Sequence, residues 1–341
     1  MLSNIVVPLD TSPISECAAW KAAAIARAAS AAVHLVHVYE PPFPPFDGGR
    51  PIDAASLAQD RIQFENRLRR MGEGVRTRFG CACDVAMIGG VPAAAIGDYA
   101  RIARADLIVM STHGRTGMSR AWFGSVADTL ARESPVPVLM VRHGDPESCA
   151  VPHGLEPAFR RVLIALDGSE SAASILEPLL DMQLPPNTEV LLAEVVNPIP
   201  LPVLDYPEAM LVTAVARDVE ATEELAQRAR VYLAGIASRL RGNGFHNVDI
   251  NVLISPNAAP TLVGFANSSR AELVALTSHG RGASRLVMGS VADKLLRGTE
   301  CSMLLRRIPI ESRTPAPSGK TPTKKQDFAD TAPVPAGTLS N

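Results

Sequence analysis

Aromatic residues supply only 4% of this 341-residue chain, which excludes a core dominated by stacked rings. The 47% of hydrophobic residues are therefore mostly Ala, Val, Leu and Ile, a mixture suited to helices packed on a parallel sheet. Neither charge sign is in excess: 33 basic residues face 35 acidic ones, a formal net charge of −2. No global field then recruits nucleic acid or an anionic membrane, and an anion site must be local. The five cysteines, Cys17, Cys81, Cys83, Cys149 and Cys301, are odd in number and form no C-x-x-C pair, which argues against a disulfide framework or a structural zinc. Cys81 and Cys83 alternate by two, so on a strand both face one side and read as packing residues. Charge interrupts every apolar stretch well short of the roughly 20 residues of a spanning helix, and "MLSNIVVPLD" lacks the basic segment and apolar core of a signal peptide. A soluble protein of a reducing cytoplasm is expected. Catalytic loops are missing too. There is no G-x-x-x-x-G-K-[ST], no G-x-S-x-G and no Ser-Gly-Gly-x-Asp-Ser after the first strand, so no enzyme is expected.

What is present is a repeat. "STHGRTGMSRAWFGSVADTL" (Ser111 to Leu130) returns as "TSHGRGASRLVMGSVADKL" (Thr277 to Leu295). Other segments correspond in the same order: "NIVVPLD" with "RVLIALD", "VHLVHVYEP" with "VLLAEVVNP", and "CDVAMI" with "DINVLI". Asp10 to Asp167 is 157 positions and Ser125 to Ser290 is 165, so the halves differ by eight residues over that span. Short β-branched runs alternate with helical spacing, including a charged helical stretch from about Ala54 to Phe79. Each half reads β-α-β-α-β-α-β-α-β, a doubly wound open parallel sheet of five strands flanked by helices. Domains are expected at 1–142 and 160–308, with a linker at 143–159 rich in Pro, Gly and charge. The Pro-, Ser-, Thr- and Lys-rich residues 309–341 are expected to be a disordered tail. The apolar last strands "VPVLMVR" and "CSMLLRR" would leave exposed edges unless the halves pack as a pseudo-dimer.

In an open parallel sheet, ligands bind beyond the carboxyl ends of the strands, where the repeated loop falls. Glycine lets backbone N–H groups approach a ligand, and a helix N-terminus adds unpaired donors and partial positive charge. Gly114, Gly124 and Ser125 thus form a candidate phosphate loop, with Arg115 and Arg120 nearby. The same residues support a reading without ligand, since Ser125-x-x-Asp128 and Ser290-x-x-Asp293 are capping-box-like pairs. Asp10 and Asp167 end the first strands, placed either for a ribose hydroxyl or adenine amino group or for a local Asx turn. His113 and His279 have no companion at metal-ligand spacing and read as loop-packing residues.

Each half resembles a universal stress protein domain, and the whole chain resembles the tandem form of that family. "VPLD" and "IALD", "HV" or "EV" at the end of strand two, "DLIVMSTHGRTG" and "GSVAD" carry the likeness. The resemblance implies an adenine-nucleotide alpha-hydrolase-like, Rossmann-like fold and ATP, with or without Mg, as cofactor. It also implies a stress-response role with at most very slow ATP hydrolysis, without catalytic residues or a metal site, and allows a further homodimer. Family members that bind ATP have Gly-x-x-Gly, nine residues, then Gly-Ser or Gly-Thr. Ser111-x-x-Gly114, nine residues, Gly124-Ser125 departs only at the first glycine; the second half has Thr277 there and eight residues between Gly280 and Gly289. By resemblance the first site comprises Asp10, Val38, Ser111, Gly114, Gly124, Ser125 and Val126. The second comprises Asp167, Val195, Thr277, Gly280, Gly289, Ser290 and Val291. Gly90 corresponds to Pro256, which removes a backbone donor, so tighter binding is expected in the first half. The alternative is a structural or interaction protein of the same fold, its glycine loops kept for folding.

Overall fold

The computed structural model describes residues 1–10, 12–39, 46–47, 50–51, 54–112, 124–142, 156–198, 208–278 and 288–308. In the first half the order is β1 (Asn4–Pro8), α1 (Pro13–Ala29), β2 (Ala32–Tyr39), the two-residue strands β3 (Phe46–Asp47) and β4 (Arg50–Pro51), α2 (Ala54–Phe79), β5 (Cys83–Gly89), α3 (Pro92–Ile102), β6 (Leu107–Ser111), α4 (Ser125–Glu133) and β7 (Val138–Val141). The second half follows with β8 (Arg161–Leu166), α5 (Glu170–Ala173), α6 (Leu176–Asp181), β9 (Glu189–Val196), α7 (Glu208–Gly242), β10 (Asn247–Ile254), α8 (Ala258–Ser268), β11 (Leu273–Thr277), α9 (Ser290–Gly298) and β12 (Ser302–Arg306).

The α/β fold anticipated from the repeat is present, and the strands form one ten-stranded sheet in the order β10-β9-β8-β11-β12-β7-β6-β1-β2-β5. Within each half every pairing in this sheet is parallel. At the join, β7 and β12 pair antiparallel, with Leu139 opposite Leu304. Each apolar last strand therefore gains a partner on the side its own half leaves open, which satisfies its ladder groups.

Period-two alternation divides the core between the two faces of the sheet. Ile5 and Val7 of β1 and Leu139 and Val141 of β7 face the layer containing α1, α2, α6 and α7. Val6, Val138 and Met140 face α3, α4, α8 and α9. Each layer draws residues from both halves. Alanine lets α1 lie close to the strands: Ala18, Ala19, Ala22, Ala23 and Ala26 are fully buried. Gly72 does the same for α2, since a Cβ there would meet Val85 Cγ2 at 2.9 Å.

The halves differ where α1 is one helix but its counterpart is split into α5 and α6. Pro178, inside α6, has no N–H to bond the carbonyl four residues back, that of Ser174. Arg306 Nη1 donates to that carbonyl at 2.7 Å instead.

Cys81 and Cys83 are buried free thiols, as is Cys301, and burial pushes the Cys83 thiol up to about 12. Cys17 is disulfide-bonded; the odd count that argued against a disulfide framework excludes full pairing, not a single bridge. No helix among the described residues is long and apolar enough to cross a membrane. Residues 1–308 form one compact unit; the linker residues 143–155 and the tail expected at 309–341 lie outside the described residues.

Candidate functional site

In each half the sheet order reverses between the first and fourth long strands, which leave in opposite directions, the condition that opens a crevice at their carboxyl ends. Pairing of β1 with β6 ends at Val6 and Ile108, and pairing of β8 with β11 ends at Ile164 and Ala275. Beyond those pairs the chain runs into Leu9-Asp10 and Ser111-Thr112 in one half, and Leu166-Asp167 and Thr277-Ser278 in the other. In the second half a cavity of about 320 Å³ occupies the gap, its lining including Asp167, Val195, Thr277, Gly289, Ser290 and Val291. Six of the seven residues expected for this site thus come together. Gly280, like Gly114, His113, His279, Arg115 and Arg120, lies outside the described residues.

The cavity lining is of two chemical kinds. Ala165, Ala258, Leu262 and Leu276 make an apolar wall, while the first turn of α9 presents Gly289, Ser290 and Val291. A helix leaves its first N–H groups without intrahelical partners, and here they lie at the cavity lining. Gly289 is the N-cap and no side chain caps the helix; Gly124 plays the same part for α4. The loops are closed at the base by their glycines: Gly124 N donates to Thr112 O at 3.2 Å and Gly289 N to Ser278 O at 2.8 Å.

These caps decide against the capping-box reading. Ser125 and Ser290 are the first helical residues rather than the caps, and both are exposed. Asp128 and Asp293 instead accept hydrogen bonds from arginines one turn along, Arg132 and Arg297.

Asp10 and Asp167 do form the expected local turns. Asp10 Oδ1 accepts from Ser12 N at 3.0 Å and Ser12 Oγ at 2.6 Å, and Asp167 Oδ1 accepts from Ser169 N and Oγ at the same distances. Ser12 and Ser169 then cap α1 and α5 through Ser15 N and Ala172 N. The turn fixes each carboxylate at the strand end, and Asp167 still lines the cavity. In the first half His37 Nδ1 donates to Leu9 O at 2.8 Å and stacks on Phe64 with ring centres 5.0 Å apart, holding the strand end beside Asp10. Val38 is half-buried at the end of β2, and Ser111 is buried at the end of β6. Among the described residues no cluster of three or more His, Cys, Asp or Glu is placed to hold a metal ion.

Sequence reasoning missed Ser12 and Ser169, Thr112 and Ser278, and the walls Ala172, Ala258 and Leu262. The serines were legible in principle as D-x-S before a helix. The carbonyls and alanines carry no local signal, because only the fold brings them to the crevice.

Comparison with known proteins agrees with this architecture. The model of the universal stress protein family matches residues 1–142 and 158–307, and the chain belongs to that family. It is 33% identical over 145 residues to a universal stress protein of Methanocaldococcus jannaschii, covering 42% of this chain and 83% of that one. Over 325 residues it is 25% identical to a universal stress protein of Mycobacterium tuberculosis, covering 89% of this chain and 97% of the relative. A universal stress protein from Archaeoglobus fulgidus has a solved structure that superposes with a TM-score of 0.59 at 15% identity, covering 89% of this chain and 98% of that chain.

Proposed function

We propose that the chain is a cytoplasmic stress-response protein that binds an adenine nucleotide, ATP, in each half, and works as a nucleotide-dependent regulatory or protective module rather than as an enzyme. The observation that carries this reading is the second-half cavity, whose apolar lining suits a base and whose lining also includes a helix N-terminus suited to phosphate. Asp167 and Val195 would hold the nucleoside; Thr277, Gly289, Ser290 and Val291 would hold the phosphates. Asp10, Val38, Ser111, Gly124, Ser125 and Val126 are their first-half counterparts. Magnesium, when bound with the nucleotide, supplies neutralisation of phosphate charge. The exposed serine hydroxyls favour this reading, since neither caps its own helix. The antiparallel join of β7 and β12 supports treating the halves as an intrachain pseudo-dimer.

A second reading, a structural or interaction protein, draws on the Asx turns, which give Asp10 and Asp167 a folding role without ligand. Thermal-shift titration with Mg·ATP separates the two. A ligand bound only to the folded chain stabilises it by RT ln(1 + [L]/Kd), about 2.7 kcal/mol per site at a hundredfold excess over Kd. An unchanged melting temperature at millimolar Mg·ATP would refute nucleotide binding. Mass spectrometry of the supernatant from denatured protein identifies any nucleotide carried through purification.

A further inference from the structure

The apolar walls of the two crevices are built from side chains of different size. Ala165 precedes Leu166-Asp167 as Pro8 precedes Leu9-Asp10. Ala165 stands beside Ala193 of β9, and Pro8 beside Val36 of β2. Ala165, Ala193 and Val36 all face the layer of α3, α4, α8 and α9, and alternation from Val6 puts Pro8 on that face as well. The helices covering this face begin alike. Ala258 opens the 11-residue α8 and Pro92 the 11-residue α3. Further along them, Leu262 and Ala266 answer Ile96 and Ala100 in the same layer, so the two openings are equivalently placed. The first half thus carries pyrrolidine rings and an isopropyl group where the second half carries methyls. Ala165 and Ala258 both line the second-half cavity, with Ala193 fully buried next to Ala165.

We propose that Ala165 and Ala258 are specificity-determining residues, so that the second half accepts an adenine nucleotide enlarged on its base while the first half accepts only unsubstituted adenine. The proposal rests on the nucleotide reading above, which sets the base against this wall. Ala165 is held in the ladder with β9, and Ala258 by the helix that Leu262 anchors, so the room beside their methyls is fixed by backbone. Pro8 and Pro92 are held in the same way, and a proline ring is rigid and cannot swing aside. Etheno-ATP, whose adenine carries an additional fused ring, probes the difference, because its triphosphate is that of ATP and its contacts at the helix starts are unchanged. One methylene that fits or fails to fit an apolar pocket is worth about tenfold or more in discrimination. The fused ring should therefore cost at least about tenfold in the first half and little in the second.

Calorimetric titration of the full chain with Mg·ATP and with Mg·etheno-ATP tests this. The unmodified protein should bind two ATP, but only one etheno-ATP with an affinity close to that of ATP. The variant A165V/A258V, which fills the wall without removing a backbone N–H, should weaken etheno-ATP at least about tenfold and ATP much less. The reverse variant P8A/P92A should gain a second etheno-ATP. If these variants do not fold, the unmodified protein and Ser290→Ala decide, since the latter should weaken the etheno-ATP site. Two etheno-ATP of equal affinity, none while ATP binds, a valine variant that weakens both nucleotides alike, a P8A/P92A variant that gains none, or an etheno-ATP site untouched by Ser290→Ala would each overturn this proposal and leave the nucleotide reading standing. No binding of either nucleotide would overturn both.

Discussion

Replacing Ser290 by alanine separates folding from binding at the second site. The hydroxyl is exposed on the first helical residue of α9, and the cap position belongs to Gly289. The fold therefore loses nothing it uses, and apo stability should change by no more than about 0.5 kcal/mol, as for an ordinary surface substitution. A hydroxyl bonded to a phosphate oxygen is a charge-assisted contact of about 1.5–3 kcal/mol. Its removal should weaken nucleotide binding at that site at least tenfold, since about 1.4 kcal/mol is a factor of ten. At a fixed hundredfold excess over the original Kd, the ligand-dependent stabilisation from this site falls by about 1.4 kcal/mol. For a folded unit of this size that is about 2 °C of the melting shift. Ser169→Ala is the contrasting variant, because Ser169 Oγ caps α5 and also bonds Asp167. It should cost about 1 kcal/mol with no nucleotide present. Melting curves with and without Mg·ATP, followed by calorimetry, read both effects. If Ser290→Ala lowers apo stability by more than 1 kcal/mol, or leaves affinity unchanged, the assignment of its hydroxyl to the ligand is wrong.

The remaining predictions concern the glycines, the join and the buried thiols. Gly124→Val should fold, since among the described residues a Cβ there meets only Thr112 O, at an ordinary 3.5 Å, yet should remove most nucleotide binding. The corresponding change at Gly289 should matter less if the first half is the tighter site, and calorimetry showing the reverse order would contradict that asymmetry. Arg142→Met should destabilise by about 2–4 kcal/mol in denaturant melts, because its guanidinium donates to the carbonyls of Leu296 and Thr299 at the end of α9 and both would lose charge-assisted bonds. A loss below 1 kcal/mol would mean that these bonds count for little. For Cys83, burial raises the thiol from 9.0 to about 12. The unfolded chain then releases that proton first as pH rises, so the stabilising contribution is complete below pH 9 and is lost between about pH 9 and 12. Cys83→Val should flatten the decline in stability over that window, measured by urea melts at stepped pH; an unchanged slope would assign the decline to other groups.

Local pattern determined much of this protein. Apolar runs such as "IVV" and "LIVM", periodic helices between them and two copies of "GSVAD" specify two five-stranded halves, because side-chain period and length distinguish buried strands from helices without reference to distant residues. The expected helix over 54–79 is α2 itself. Asp10 and Asp167 were legible as strand-end residues for the same reason.

Tertiary structure decided what depends on partners far apart in the chain. Whether Ser125 or Gly124 caps α4 rests on where the loop returns to Thr112, and the chemistry of "GSVAD" fits either. Asp128 reads as a capping partner until the other half brings Arg297 within 3.8 Å. The merging of two five-stranded sheets follows from edge groups that must find donors and acceptors somewhere; the apolar last strands pointed to this edge, and the fold decided the antiparallel register that sets Leu139 opposite Leu304. The second-half cavity is likewise a property of diverging strands: Ala258 and Leu262 line it because β8 and β11 part after Ala275, a separation set by the sheet and by no residue alone.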